Sequence, residues 1–341
     1  MPGALPVIPP ETIMKKIGSY FKRQKWANPV RNSCGTSNPA RIILGPKPAA
    51  GQRSIISNGA KTLLWVGILL LASFPSYAGS IRDVSLNTER VRSIEPPFRF
   101  VLIGDSRDGE KVYGRLLGSA LEQSPHFLIH LGDMIPRPEE KEWQKFFEIS
   151  KPIHVPFFPV VGNHEVFASG RGGKLYREQF HLPGERTYYD FRAGGVLFVI
   201  LDSEIGRGRI IHEQLSWLKD ILSSSKERFK LVFIHRPLFL PFDSLKKGRA
   251  MDRHPLDRDA LHRLFLKTGV TAVFEGDDHR YDQMEKDRIL YLITGGGGAP
   301  LTSLKARGHF FHYVCVSVQQ GKIEGEVVDL EGRVRDRFTI E

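Results

Sequence analysis

The sequence predicts an α/β fold, and three observations carry that reading. Short apolar runs of strand length recur between residues 98 and 294; several are separated by stretches whose apolar residues repeat with helical spacing; and most end in a turn rich in Gly and acidic residues. Strands alternating with amphipathic helices are the pattern of helices laid on a largely parallel sheet. At 341 residues, with 41% hydrophobic and 26% charged content, the chain can bury one large core or two moderate ones.

Residues 1–60 are rich in Pro, Gly, Ser, Asn and basic side chains and lack a sustained apolar period, so they read as a disordered basic extension upstream of the true start. In residues 61–78, Lys61 precedes an apolar run at 63–72, and Ser76 and Ala78 put small residues at cleavage-site positions. This is the pattern of a secretory signal peptide, and its apolar run is about half of what a membrane span needs. The expectation is export, periplasmic or secreted, with membrane contact only through this segment as signal or anchor. Residues 79–95 read as a polar linker and 96–341 as the folded domain.

Within that domain the strand-like runs are 98–103, 127–131, 157–161, 196–201, 231–234, 271–274 and 291–294. Helical spacing joins Val112, Leu116, Leu117, Ala120 and Leu121; Leu215, Leu218, Ile221 and Leu222; and Leu256, Ala260, Leu261, Leu264 and Phe265. Residues 311–340 read instead as consecutive strands with turns at 320–321 and 331–332, so the sheet is expected to be mixed.

The formal charge of +11 invites a nucleic-acid reading, but its distribution opposes one. Ten of the 49 Lys/Arg residues fall in residues 1–61 beside a single acid, Glu11, which leaves 39 basic against 37 acidic residues elsewhere. The body of the protein is not a basic domain, and no nucleic-acid partner is expected. The two cysteines, Cys34 and Cys315, make no disulfide framework, and Cys315 reads as a small buried hydrophobe.

The residues after the strands carry the chemistry. The first three runs lead into Gly104-Asp105-Ser106-Arg107, Gly132-Asp133 and Gly162-Asn163-His164-Glu165. The run at 231–234 is followed by His235, and that at 271–274 by Glu275-Gly276-Asp277-Asp278-His279. In open α/β sheets functional groups gather beyond the carboxyl ends of the strands, so five strand ends deliver Asp, Asn and His to one place. Carboxylate, amide oxygen and imidazole together suit divalent Mn, Fe or Zn. A central carboxylate can bridge two such ions, which lower the pKa of a shared water for in-line attack on phosphorus. The glycines before Asp105, Asp133, Asn163 and Asp277 are expected to let the backbone turn sharply.

This ordered series resembles the calcineurin-like metallophosphoesterases, particularly their purple-acid-phosphatase-like branch, whose pattern is D-x-H or a variant, G-D, G-N-H-E, a His after a strand, and G-H-x-H. The steps of 28 residues from Asp105 to Asp133 and 30 from Asp133 to Asn163 are similar to the family's. So are Tyr188-Tyr189-Asp190-Phe191, Leu201-Asp202-Ser203-Glu204, Glu213-Gln214-Leu215-Ser216-Trp217-Leu218, His235-Arg236-Pro237 and the run GGGGAP at 295–300, so that the resemblance covers roughly residues 99–318. It implies two mixed β-sheets packed as a sandwich flanked by helices. It also implies hydrolysis of a small phosphate mono- or diester by a metal-bridging hydroxide. Carried over, it implies Asp105 and His279 as ligands of a first metal, Asp133 as the bridging carboxylate, Asn163 and His235 as ligands of a second, and His164 as the group that assists the leaving group.

Two departures accompany the resemblance. Arg107 stands where many members have a metal-binding His and can hold a phosphate oxygen instead. Asp277 stands where the first His of G-H-x-H is expected; as a ligand it makes the second shell richer in oxygen, which favours Mn. Pro136 occupies the place of the colour-giving tyrosine of purple acid phosphatases, so no purple Fe(III) centre is expected. The rival reading, motivated by Arg107 and Asp277, is a degenerate member that binds phosphate or a partner without turnover. His126 and His130 read as structural, Asp202 and Glu204 as partners of their own turn, and Gly295–Gly298 as no phosphate loop because no Lys-Ser/Thr follows. The basic loop at 246–258 (Lys246, Lys247, Arg249, Arg253, Arg258) can overhang the site and meet an anionic substrate.

Overall fold

The structure, a computed structural model, describes residues 81–166, 172–302 and 308–341. The basic extension and signal peptide expected at 1–60 and 61–78 lie outside them. No helix among the described residues is long and apolar enough to cross a membrane.

The strands are β1 (Phe98–Ile103), β2 (Phe127–His130), β3 (Phe157–Pro159), β4 (Tyr189–Ala193), β5 (Val196–Leu201), β6 (Phe229–Ile234), β7 (Ala272–Glu275), β8 (Tyr281–Lys286), β9 (Ile289–Thr294), β10 (His312–Gln319), β11 (Lys322–Asp329) and β12 (Val334–Ile340). They form two sheets of six, ordered β12-β11-β10-β1-β2-β3 and β4-β5-β6-β7-β9-β8. In the first, β1, β2 and β3 are parallel, while β10, β11 and β12 extend from β1 as an antiparallel meander. In the second, β5, β6, β7 and β9 are parallel and the two edge strands antiparallel. Both sheets are mixed, and the C-terminal meander turns where the sequence places its turns.

The continuous apolar runs follow from burial on both faces. Along β5, Val196, Phe198 and Ile200 point into the core between the sheets, while Leu197, Val199 and Leu201 enter a second cluster on the outer face. The inner core is largely aromatic. Phe198 stacks on Phe191 at 4.7 Å and receives Phe100 and Phe127 of the other sheet edge-on at 5.3 and 5.4 Å. On the outer face of the second sheet lie α6 (His212–Ser224), through Leu218 and Leu222, and α7 (Pro255–Thr268), through Leu261 and Phe265. The core of the first sheet takes Tyr113, Leu116 and Leu117 of α2 (Glu110–Glu122) and Trp143 and Phe146 of α3 (Glu140–Ile149). Two short helices, α4 (Asn163–Val166) and α5 (Gly172–Gln179), follow β3.

One boundary is corrected. The segment read as a linker at 79–95 carries α1 (Val84–Val91), started by Asp83, whose carboxylate accepts from Leu86 N at 3.0 Å. Val84 and Val91 are buried in the core, and the buried Asn87 donates to Phe157 O at 3.3 Å. Two apolar anchors seven residues apart among polar neighbours are too weak a pattern to see as a helix, but they suffice to dock one.

Candidate metal centre

Every predicted site residue lies at the same end of the two sheets' parallel strands. The turns after β1, β2 and β3 supply Asp105, Asp133, and Asn163 with His164; those after β6 and β7 supply His235, and Asp277 with His279. Asp105, Asp133 and Asp277 all take left-handed backbone, with φ of 58°, 53° and 62°. Few residues adopt this conformation, although Asp tolerates it better than most, and it concentrates at functional sites.

The expected role of the glycines is therefore corrected at three of the four positions. Among Gly104, Gly132, Gly162 and Gly276, only Gly132 has positive φ, at 91°. The others are needed for closeness. A Cβ on Gly104 would sit 2.9 Å from Thr294 O, and one on Gly276 would sit 2.8 Å from Asp105 Oδ2. The aspartates make the bends, and the glycines let one turn lie against the next. Asp277 N donates to Asp105 Oδ2 at 3.1 Å, which joins the turns of the two sheets.

Two sets of donor atoms converge, each with its atoms within 4.8 Å of one another: Asp105, Asp133 and His279, and Asp133, His235 and Asp277. Asp133 belongs to both. His235 Nδ1 donates to Leu131 O and His279 Nδ1 to Pro300 O, each at 2.8 Å, so both imidazoles turn Nε2 toward the carboxylates. These nitrogens lie 3.2 Å from Asp133 Oδ1 and 3.5 Å from Asp105 Oδ1. The outer end of the Asn163 amide lies 3.2 Å from His235 Nε2 and 3.3 Å from Asp277 Oδ1. Asp105 Oδ1, Asp277 Oδ2 and His279 Nε2 are buried without a hydrogen-bond partner. Orphaned lone pairs on oxygen and nitrogen, converging from buried side chains, fit divalent cations.

The field inside the site favours positive charge. Burial works against ionised Asp133, but His235 and His164 hold its carboxyl well below the ordinary range. Burial likewise opposes a charged His235, yet Asp133, Asp105 and Asp277 hold it well above the ordinary histidine range. Burial raises the Asp105 pKa.

Around the donors stand two cations, an imidazole and one acid. Arg107 Nε lies 3.3 Å from Asp133 Oδ2, and its Nη1 pairs with Asp108 at 2.6 Å. His164 N donates to Asp133 Oδ1 at 3.0 Å, its Nδ1 donates to Pro136 O at 2.7 Å, and its Nε2 lies 3.8 Å from Asp133 Oδ2. Glu165, to which sequence reasoning gave no role, is fully buried and accepts N–H bonds from Gly162 at 2.7 Å, Asp133 at 2.9 Å, Met134 at 2.8 Å and Ile135 at 3.4 Å. Burial and the Asp133 charge push its pKa up to about 8, against these donors. Its signal was the i+3 spacing from Gly162 inside G-N-H-E, which lets it close on that residue's N–H. Of the basic loop, Lys246 enters the site, with Nζ 2.6 Å from Asp277 Oδ1. Arg258 pairs with Asp259, and Lys247 donates to Phe242 O.

The remaining residues are structural. His126 Nδ1 accepts from Arg99 N, and buried His130, its pKa pushed down by burial to about 3, bonds Ser106 Oγ at 3.0 Å. Asp202 accepts from Glu204 N and Ile205 N at 2.6 and 3.0 Å, and Glu204 pairs with Arg236 at 2.7 Å. The Gly295–Gly298 run packs behind Asp105, with Gly297 N donating to Gly104 O and Ala299 N to Asp105 O, each at 2.7 Å. Cys315 is buried and unpaired with another cysteine.

The family model of calcineurin-like phosphoesterases matches residues 98–281, more than half of the chain. The human serine/threonine-protein phosphatase CPPED1 is 27% identical over 175 residues, 47% of this chain and 55% of that protein. Purple acid phosphatase 23 of Arabidopsis thaliana is 29% identical over 256 residues, 66% of this chain and 53% of that protein. The chain thus spans about half the length of these curated relatives. Among solved structures, a purple acid phosphatase from yellow lupin seeds shares the fold, with a TM-score of 0.62 at 19% identity over 72% of this chain and 54% of that one.

Proposed function

The chain belongs to the calcineurin-like phosphoesterase family, and on that premise we propose that it hydrolyses phosphate mono- or diesters with two divalent metal ions, Mn²⁺ favoured. The observation that carries the reading is a buried carboxylate, Asp133, common to two converging donor sets that contain orphaned atoms. Asp105, Asp133 and His279 would hold one ion, and Asp133, Asn163, His235 and Asp277 the other. Ions bound there supply Lewis acidity toward a phosphoryl oxygen and a nucleophilic water near neutral pH. The second set has one imidazole among oxygen donors, hence the preference for Mn²⁺ over softer ions.

The side chains supply the rest. The bond from His164 Nδ1 to Pro136 O fixes the ring with Nε2 toward the site, so that Nε2, when protonated, can pass its proton to the departing oxygen. The Arg107 guanidinium, anchored between Asp108 and Asp133, can turn a remaining N–H toward a phosphoryl oxygen. The relatives named above are phosphatases, which agrees with this chemistry. Export through residues 61–78 belongs to the same proposal; a mature N-terminus near residue 79, read by intact mass, supports it, and one retaining Lys61 overturns it.

The full chain is assayed with p-nitrophenyl phosphate and its bis ester. Turnover should appear with Mn²⁺, vanish on chelation and return on readdition. His164→Ala should keep its metal yet lose turnover, most for poor leaving groups; equal losses for good and poor ones would remove the acid role. Phosphate binding without turnover on any ester would favour the degenerate reading suggested by Arg107 and Asp277.

A further inference from the structure

The loop after β6 meets the loop after β7 through three consecutive polar contacts. Arg280 Nη1 donates to Asp243 Oδ1 at 2.9 Å, Ser244 Oγ to Asp278 Oδ2 at 2.7 Å, and Lys246 Nζ to Asp277 Oδ1 at 2.6 Å. Lys246 N in turn donates to Ser244 Oγ at 3.1 Å. Two of these contacts hold the loop without involving the donor sets, so the third is a placed ammonium rather than a surface lysine swung inward. The Lys246 side chain is 17% exposed, against 2% for Asp277.

We infer that Lys246 is a phosphate-binding residue of this active site, held on Asp277 so that it takes a non-bridging phosphoryl oxygen of the substrate. The inference rests on the hydrolase reading above and adds a contact to it. An ammonium has three N–H donors, and among the described residues Asp277 Oδ1 is the acceptor it meets, so donors remain for a ligand. The oxygen that meets Lys246, Asp277 Oδ1, also lies 3.8 Å from His235 Nε2, which sets the ammonium at the edge of the donor set, while Asp277 Oδ2 has no hydrogen-bond partner. Three carboxylates, Asp105, Asp133 and Asp277, are thereby matched by two fixed cations, Arg107 beside Asp133 and Lys246 beside Asp277. Fixed cations flanking a phosphoryl group stabilise the charge it spreads over its oxygens during transfer.

Lys246→Met and Lys246→Arg are compared with the wild-type full chain, with Mn²⁺ and then inorganic phosphate titrated by calorimetry, and kcat and KM measured on p-nitrophenyl phosphate. Lys246→Met should weaken phosphate at least about tenfold and raise KM in step, with Mn²⁺ stoichiometry unchanged, because a charge-assisted hydrogen bond is lost. Lys246→Arg should stay within about threefold of wild type, since it keeps the charge and a donor. Phosphate affinity within about twofold of wild type in Lys246→Met overturns the inference. So does a rise in Mn²⁺ affinity alone, which makes the lysine only the counter-charge of Asp277. A wild-type chain that binds Mn²⁺ and phosphate but never turns over fails the hydrolase reading, while the phosphate titration still decides Lys246.

Discussion

Asp133 and Asp277 occupy the same kind of place, each a left-handed residue after a strand-terminal glycine, yet they are held in opposite ways. Asp133 is fixed by backbone. Glu165 grips the N–H groups of residues 133, 134 and 135 together with that of Gly162, and His164 N donates to the Asp133 carboxylate, so the turns after β2 and β3 form one lock. Asp277 donates its N–H to Asp105 Oδ2, but its carboxylate is held by one side chain, since Oδ1 takes the ammonium of Lys246 from a loop that reaches back through Asp243 and Ser244. The difference teaches that the shared carboxylate stands in the stiffer half of the centre, and that the departure from the family pattern stands where a single side-chain contact can retune it.

The largest effect should come from Asp133→Asn, which removes the charge common to both donor sets while keeping a residue that tolerates left-handed backbone. Activity should fall by about a thousandfold or more with the melting temperature near wild type. A melt showing an unfolded variant would break the idea that backbone, and not charge, holds this turn. Glu165→Gln comes next, because an amide cannot accept four N–H bonds without turning its own donors on some of them. About 2–3 kcal/mol of stability should be lost in denaturant melts and Mn²⁺ affinity should fall about tenfold. An unchanged metal affinity would show that the lock is not what places Asp133.

On the softer side, Asp277→Ala and His279→Ala should each cost one ion per chain by metal analysis with the fold intact. Asp277→His should shift preference from Mn²⁺ toward Zn²⁺ or Co²⁺. Two ions bound at unchanged affinity in Asp277→Ala would make that carboxylate a bystander. The smallest effect lies away from both halves. Burial pushes the His312 pKa down to about 4, below its ordinary value of about 6.5. As pH falls through that window the unfolded chain takes the proton first, so stability present above about pH 6.5 is lost toward pH 4, by about 1.4 kcal/mol per unit of gap. His312→Gln should flatten this part of the stability–pH curve, measured by melts between pH 7 and 4.5.

What could be read beforehand divides along the same line. Strands buried on both faces, such as β5 and the 231–234 part of β6, announce themselves as unbroken apolar runs, and metal-type side chains immediately after them are visible without coordinates. The edge strand β8 reads Tyr-Asp-Gln-Met-Glu-Lys, with one face open, and α1 has two buried valines among polar residues, so neither gives a strong period. Glu165 was hidden because its partners are backbone N–H groups, which carry no sequence identity. Lys246 was legible only as one of several basic residues, since which of them enters depends on the path that Ser244 and Asp243 impose. Gly104, Gly162 and Gly276, unlike Gly132, were legible as turn residues for the wrong reason, because close approach and positive φ leave the same letter.

Left-handed backbone at Asp277 also bears on how such a centre can diverge. Asp, Asn and His are the non-glycine residues enriched in that conformation, so the exchange of imidazole for carboxylate here is one the turn accepts without rebuilding. A lineage can drift in metal preference at this position while the loop, its tether and the neighbouring His279 stay where they are. The bend thus acts as a filter on descent, admitting donors of different chemistry and excluding the bulky and β-branched side chains that would silence the site.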